Sequence, residues 1–138
     1  MNYSIEQLKN MIRYKKRLPP DFDQWFLIID EEGSTVAHLA AAYNCLPPDF
    51  DRWYLRDNNY LTVAHVVAEY GHFPPYFNQW ELSDIYDYTV AHMAASYGHL
   101  PPDFNQWELT DRYGRTVAQI TYKCNHLPSN FDRWDLIK

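Results

Sequence analysis

The sequence predicts an all-α fold in which short repeats stack into a solenoid with N- and C-terminal caps. An eight-residue stretch, Leu18 to Trp25, returns four more times along the 138 residues. The five tryptophans hold one position in these copies and follow one another at intervals of 28, 27, 27 and 27 residues: Trp25, Trp53, Trp80, Trp107 and Trp134. Periods of this size are typical of stacked repeats. An alternating strand pattern of useful length is absent from the sequence.

Residues 1–17 are predicted to form a capping helix within a single domain of residues 1–138. Ser4 and Gln7 have the spacing of a capping box, and Ile5, Leu8 and Ile12 recur at helical spacing. The opposite face is basic: Lys9, Arg13, Lys15, Lys16 and Arg17. The end of a solenoid needs one apolar side against its first repeat and one polar side in water. We therefore interpret the basic residues as a solvated cap face, with an anion-binding site as the alternative.

Residues 18–126 are predicted to hold repeats of about 27 residues, each with two helices. Threonines suited to N-caps begin the first helix: Thr35, Thr62, Thr89 and Thr116. Residues that tolerate the left-handed conformation end it: Asn44, Gly71, Gly98 and Asn125. The Pro-Pro pair then predicts the start of a short second helix, on which Phe and Trp three residues apart share a face. Residues 127–138 are predicted to be the C-terminal cap.

A single repeat buries too little apolar area to offset the conformational entropy that it loses on folding. Neighbouring repeats must therefore cover both of its faces. We expect a ladder of the phenylalanines that precede the tryptophans, beside a ladder of the tryptophans themselves. The phenylalanines are Phe22, Phe50, Phe77, Phe104 and Phe131.

Charged residues are distributed unevenly along the chain. Residues 1–17 hold five Lys or Arg against one Glu, whereas residues 18–138 hold seven Lys or Arg against 17 Asp or Glu. An acidic body disfavours direct binding to nucleic acid and suits a protein partner with a basic surface. No apolar run approaches the roughly 20 residues of a membrane span. The N-terminus shows no signal-peptide pattern, so we expect a cytoplasmic protein, or one in a host cytoplasm if it is an effector.

Two stretches, Asp111–Ala118 and Thr89–His99, resemble the turn and first helix of ankyrin repeats, which run D-x-x-G-x-T-P-L-H-x-A-A-x-x-G-H. The resemblance covers about residues 18–138. Val-Ala replaces Pro-Leu after the threonine, and the period is about six residues shorter than in that family. The Pro-Pro-Asp-Phe-x-x-Trp segment replaces the leucine-rich second helix. The resemblance implies an ankyrin-like solenoid with a shortened second helix.

The resemblance also implies roles for particular residues. His38, His65 and His92 would form hydrogen bonds near the turns. The turn tips and the first-helix face would form a concave surface that binds a partner protein.

Within this chain, the turn between Asp and Thr changes from copy to copy while the framework positions hardly change. Tyr and Arg are enriched at binding hot spots, so we predict a partner-binding surface here, with drift of a tolerant loop as the alternative. The candidate residues are Asn58, Asn59, Tyr60, Leu61, Ile85, Tyr86, Asp87, Tyr88, Arg112, Tyr113 and Arg115, with Glu69 on the helix. The other late positions of the first helix also vary: Ala42, Ser96 and Lys123.

Other functions remain as alternatives. An acidic inhibitor could block a nucleic-acid-binding protein or nuclease, and a structural subunit could bury the tips by self-association. A metal-dependent or enzymatic site could lie on the edge with His72, His99 and His126. Equivalent residues of stacked helices lie about 8–10 Å apart and point the same way, whereas zinc needs its ligands to converge. We therefore predict no catalytic residue, cofactor or metal, and we expect Cys45 and Cys124 to be reduced.

Overall fold

The computed structural model describes residues 3–14 and 18–137. Within these residues the regular elements are five α-helices and a 3₁₀ turn, and no strand is present. They are α1 (Ile5–Arg13), α2 (Val36–Ala42), α3 (Val63–Tyr70), α4 (Val90–Tyr97), α5 (Val117–Lys123) and the 3₁₀ turn Trp134–Leu136. Each helix packs on the next along the chain, from α1 on α2 to α4 on α5. The described part of the chain holds no helix of the length and apolarity that crossing a membrane requires.

Helices α2 to α5 begin at the predicted threonine N-caps. In α3, Thr62 Oγ1 accepts from the His65 N–H (3.2 Å) and His65 Nδ1 accepts from the Thr62 N–H (3.3 Å). This is a capping box in which histidine takes the place of the usual Glu or Gln. The same box recurs in α2 and α4, and in α5 with Gln119 as its third residue. The predicted box of Ser4 and Gln7 at α1 is confirmed.

The predicted helix ends also have the expected backbone conformation. Gly71 and Gly98 are left-handed C-caps, with φ of 76° and 75°. Asn44 and Asn125 follow α2 and α5 by two residues, with φ of 58° and 63°. At Gly71 the missing side chain has a second role, because a Cβ there would lie 2.9 Å from the His99 imidazole. The helix end thus leaves room for the next repeat.

The Pro-Pro segment does not form the second helix that we predicted. In the fourth copy the Phe104 N–H donates to the Pro101 carbonyl at 3.1 Å, which closes a β-turn. A second turn follows, in which the Leu109 N–H donates to the Gln106 carbonyl at 3.3 Å. The prediction of a helix-turn-helix unit is therefore wrong for the second helix. Within the described residues, each complete repeat holds one α-helix, and its Pro-Pro segment forms a pair of turns in place of a second helix.

The helix that follows explains why the segment turns. The first N–H groups of a helix have no partner within it. In α5 the Val117 N–H donates to the Leu109 carbonyl (3.0 Å) and the Ala118 N–H to the Trp107 carbonyl (3.2 Å). A helix as short as the predicted second one is also costly to nucleate. Proline at the second position, as at Pro102, fits a β-turn because its φ is fixed.

The aromatic residues of the copies form one alternating column from Phe22 to Trp134. Trp80 contacts Phe77 of its own copy and Phe104 of the next, with ring centroids 4.9 and 5.3 Å apart. The rings along the column meet edge to face at 80–89°. Aromatic pairs favour this geometry. The two separate ladders that we predicted are therefore a single one, because each tryptophan inserts between two phenylalanines.

The N-terminal helix α1 packs its apolar side on α2. Leu8 and Ile12 are buried completely, whereas Ile5 is exposed. The basic residues Lys15, Lys16 and Arg17 lie outside the described residues. The burial of Leu8 and Ile12 agrees with the predicted apolar side of a cap.

Candidate partner-binding surface at the loop tips

We call residues 30–34, 57–61, 84–88 and 111–115 the loop tips. An aspartate organises each of them. In the third tip, Asp84 Oδ1 accepts from the N–H groups of Tyr86 (2.9 Å) and Tyr88 (3.0 Å). Asp30, Asp57 and Asp111 make equivalent bonds in their own tips. The carboxylate holds the loop through backbone groups. The loop conformation therefore does not depend on the side chains between Asp and Thr.

The fourth residue of each tip has a left-handed backbone. Gly33 and Gly114 occupy this position in the outer tips, with φ of 79° and 77°. Tyr60 and Asp87 occupy it in the inner tips, with φ of 62° and 57°. A residue with a Cβ loses roughly 1–2 kcal/mol in this conformation. Strain of this kind concentrates at functional sites, which draws attention to Tyr60.

Exposed tyrosines stand on three successive tips. We call them the tyrosine row: Tyr60, Tyr86 and Tyr113, with 56%, 53% and 70% of the residue surface exposed. An arginine guanidinium lies over each ring, 5.5, 5.7 and 5.4 Å from the centroid: Arg56, Arg112 and Arg115. Arginine stacks well on aromatic faces because its planar cation is weakly hydrated. The row therefore presents apolar area and positive charge together.

Hydrogen bonds fix these arginines and join neighbouring tips. The Arg56 guanidinium donates to the Ser83 carbonyl at 2.5 Å, and that of Arg112 donates to the Ile85 carbonyl. Arg115 pairs with the buried Asp111 carboxylate at 2.7 Å. At the first pair of tips, the Asn58 N–H donates to the Glu32 carbonyl at 2.9 Å. A surface ordered in advance loses less entropy when it binds.

Tyr88 is not part of the exposed tyrosine row, because its side chain packs along α4. It is half-buried along α4, where its hydroxyl donates to the His92 carbonyl (3.2 Å) and bonds to the Ser96 hydroxyl. Burial raises the pKa of this phenol. Ser96 holds the helix position that Glu69 holds one repeat earlier. Tyr88 thus links a tip to the late positions of the first helix, and the two regions form one surface.

The first set of histidines connects each helix cap to the next tip. The Nε2–H groups of His38, His65 and His92 donate to the carbonyls of the following tips at 2.9, 2.8 and 2.8 Å. The accepting carbonyls belong to Leu61, Tyr88 and Arg115. The predicted hydrogen bonds near the turns are confirmed. Desolvation by burial lowers the pKa of these imidazoles, although nearby carboxylates oppose it.

Acidification is expected to destabilise the fold through these histidines. Their folded pKa lies below the unfolded value of 6.5, so the unfolded chain takes up protons first as the pH falls. Their stabilisation is therefore present above pH 6.5 and is lost as the pH falls from there towards the lowered folded values. Urea unfolding midpoints measured at about pH 7.5 and about pH 5.5, at constant ionic strength, test this.

A triple variant, His38→Gln, His65→Gln and His92→Gln, is the control, since glutamine completes the same box in α5. It should lose much of the change in midpoint between the two pH values. An unchanged pH profile in the variant would contradict the assignment.

The second set of histidines lies at the other end of the helices. Nδ1 of His72, His99 and His126 donates to a carbonyl of the helix one repeat earlier, that of Ala41, Ala68 or Ala95, at 3.4, 2.8 and 3.2 Å. Across residues 3–14 and 18–137, no group of three or more His, Cys, Asp or Glu side chains is placed to hold a metal ion. Neither Cys45 nor Cys124 forms a disulfide within this part of the chain.

Of the predicted surface residues, Tyr60, Tyr86 and Tyr113 lie together with the arginines, whereas others lie outside this group. Leu61 is half-buried, and Glu69 lies in the last turns of α3. Arg56 was missed because it precedes the aspartate of its tip. A signal existed, since the position before that aspartate varies as Ile29, Arg56, Ser83 and Thr110.

No protein-family model and no curated protein matches this chain. The resemblance to ankyrin repeats therefore rests on the residues of the repeats themselves.

Proposed function

We propose that this protein is a non-enzymatic binding module, an ankyrin-like repeat solenoid that holds a partner protein on its loop tips and the adjoining helix face. The observation that carries the proposal is the tyrosine row, with its arginines stacked on exposed rings. Solvent-exposed aromatic and guanidinium groups are typical of binding hot spots. The fold does not need the side chains of the tyrosine row, because the tip aspartates close the loops through backbone bonds.

The partner is a protein with apolar pockets and a basic surround. The pockets would take the tyrosine rings, and the basic surround would face an acidic body in which residues 18–138 hold seven Lys or Arg against 17 Asp or Glu. Charge of opposite sign speeds association and disfavours wrong partners. The narrower alternative, an acidic inhibitor that mimics nucleic acid, would use the exposed carboxylates of the tips, Glu31, Glu32 and Asp87, and the arginines of the tyrosine row would weaken its attraction to a nucleic-acid-binding protein.

Replacing the tyrosine row, in a Tyr60→Ala, Tyr86→Ala and Tyr113→Ala variant, is expected to abolish partner binding. Hot-spot residues contribute about 2 kcal/mol or more each, so the affinity should fall at least about a hundredfold. The measurement is capture from a lysate of the source organism, followed by the affinity for the captured protein. Circular dichroism confirms that the variant is folded.

A matched control removes tyrosines of similar exposure outside the loop tips: Tyr70→Ala, Tyr97→Ala and Tyr122→Ala. This control should bind as well as the wild type. Equal binding by all three proteins would exclude the tips as the site. Recovery of the chain itself as the captured protein, with a multiple of its mass in solution, would instead favour a structural subunit.

A further inference from the structure

A second surface begins at the helix end opposite the tips and follows the turn segments, whose tryptophans return to the N-terminus of the next helix. The loop tips precede the N-termini of α2 to α5, whereas the Pro-Pro turns follow the C-termini of α1 to α4. We call the turn segments 18–26, 46–54, 73–81, 100–108 and 127–135 the proline edge. Grooves open between successive copies along this edge.

The grooves repeat with the chain. The first has a volume of about 860 Å³ and lies between Pro19–Pro20 and Pro47–Pro48, with Trp25 in its wall. The next, of about 260 Å³, lies between Pro47–Pro48 and Pro74–Pro75, with Trp53 in its wall. A third, of about 210 Å³, lies between Pro101–Pro102 and Pro128. Proline rings and buried indoles make these walls apolar and stiff.

Exposed carboxylates are frequent along the proline edge, and Asp49 lines the first groove. The five segments of the proline edge hold nine exposed acidic residues: Asp21, Asp23, Asp49, Asp51, Glu81, Asp103, Glu108, Asp132 and Asp135. Arg52 and Arg133 are the basic residues of the same segments. The C-termini of α2 to α4 end beside this edge, and their dipoles add negative potential. The surface therefore suits a cation-bearing ligand that also has apolar groups.

The spacing of the grooves also indicates which ligand conformation fits them. Packed helices lie about 8–10 Å apart, which sets the distance from one groove to the next. A polyproline II helix has three residues per turn and rises about 3.1 Å per residue, so its every third residue recurs at a matching distance. Such a helix is extended and already ordered, which lowers the entropic cost of docking.

We propose that the proline edge binds a basic, proline-rich segment of a partner protein in the polyproline II conformation. Residues at every third position enter successive grooves, and arginines or lysines between them meet the exposed carboxylates that follow the prolines, Asp21, Asp49 and Asp103. This surface is separate from the loop tips, and the proposal does not depend on the function assigned to them.

A synthetic peptide of four Pro-Pro-Arg triplets tests the inference. Binding is measured by calorimetry and by the emission of the indoles that line the grooves. A peptide of four Gly-Ser-Arg triplets has the same charge but no polyproline preference. We expect the Pro-Pro-Arg peptide to bind at least tenfold more tightly. We also expect the variant Asp21→Asn, Asp49→Asn and Asp103→Asn to weaken its binding at least tenfold.

The matched control neutralises three exposed carboxylates elsewhere, through Glu6→Gln, Glu31→Gln and Glu32→Gln. It should bind the Pro-Pro-Arg peptide like the wild type. Equal affinity for the two peptides would overturn the polyproline component, and equal weakening in both variants would show attraction by net charge alone. Absence of measurable binding would overturn the proposal as a whole.

Discussion

Replacing Trp80 by alanine is expected to lower the free energy of unfolding by about 3–5 kcal/mol. The indole is 7% exposed and lies edge to face between Phe77 and Phe104. Its removal leaves a cavity in the middle of the aromatic column and takes away contacts on both sides at once. Because a domain of this size is stable by only about 5–15 kcal/mol, the loss is a large part of the total. Urea unfolding followed by far-ultraviolet circular dichroism gives the value.

Trp134→Ala is the matched control at the end of the same column. Trp134 is 57% exposed, and its ring centroid lies 5.1 Å from that of Phe131, on one side of the indole. We expect a loss of no more than about 1 kcal/mol, since the truncation leaves no enclosed cavity. Similar losses at the two positions would show that the column does not stabilise the fold by mutual burial.

Replacing His65 by leucine is expected to lower the free energy of unfolding by about 2–5 kcal/mol. The imidazole is completely buried. Leucine fills a similar volume but leaves the Thr62 N–H and the Tyr88 carbonyl without their histidine partner. Each buried polar group left unsatisfied costs about 1–3 kcal/mol. Thermal and urea unfolding near neutral pH measure the loss.

His65→Gln separates the two roles of this side chain. In α5, Gln119 completes the capping box through a 2.9 Å bond from the Thr116 N–H. Glutamine at position 65 should therefore restore the cap and lose chiefly the bond to the next tip, for an intermediate stability. If glutamine and leucine destabilise equally, the bond between repeats dominates and the cap contributes little.

Local signals in the sequence predicted much of the helical framework. The threonine caps, the left-handed helix ends and the capping box of Ser4 all depend on neighbouring residues, so they could be found from spacing alone. The Pro-Pro segment was misread because its conformation depends on a neighbour that spacing does not reveal. Its carbonyls at Trp107 and Leu109 are taken by the first N–H groups of α5. Proline fits the start of a helix and a β-turn equally well.

The candidate surface was predicted as a region, but its internal arrangement was not. Copy-to-copy variation pointed to the loop tips and to Tyr60, Tyr86 and Tyr113. The different place of Tyr88 depends on a contact with Ser96, eight residues away and on another element. The stacking of Arg56 on Tyr60 depends on the way that the tip folds back. Contacts of this kind require the packed structure.

The bonds between neighbouring repeats also bear on how fast the chain folds. His65 reaches Tyr88 across 23 residues, Arg56 reaches Ser83 across 27, and His99 reaches back to Ala68 across 31. Each bond closes a loop of about one repeat, so its entropic cost is similar along the chain. Topologies built on such short loops fold faster than those that must first join distant segments. A nucleus formed by any two adjacent repeats could therefore grow outward one repeat at a time, without a slow search for remote partners.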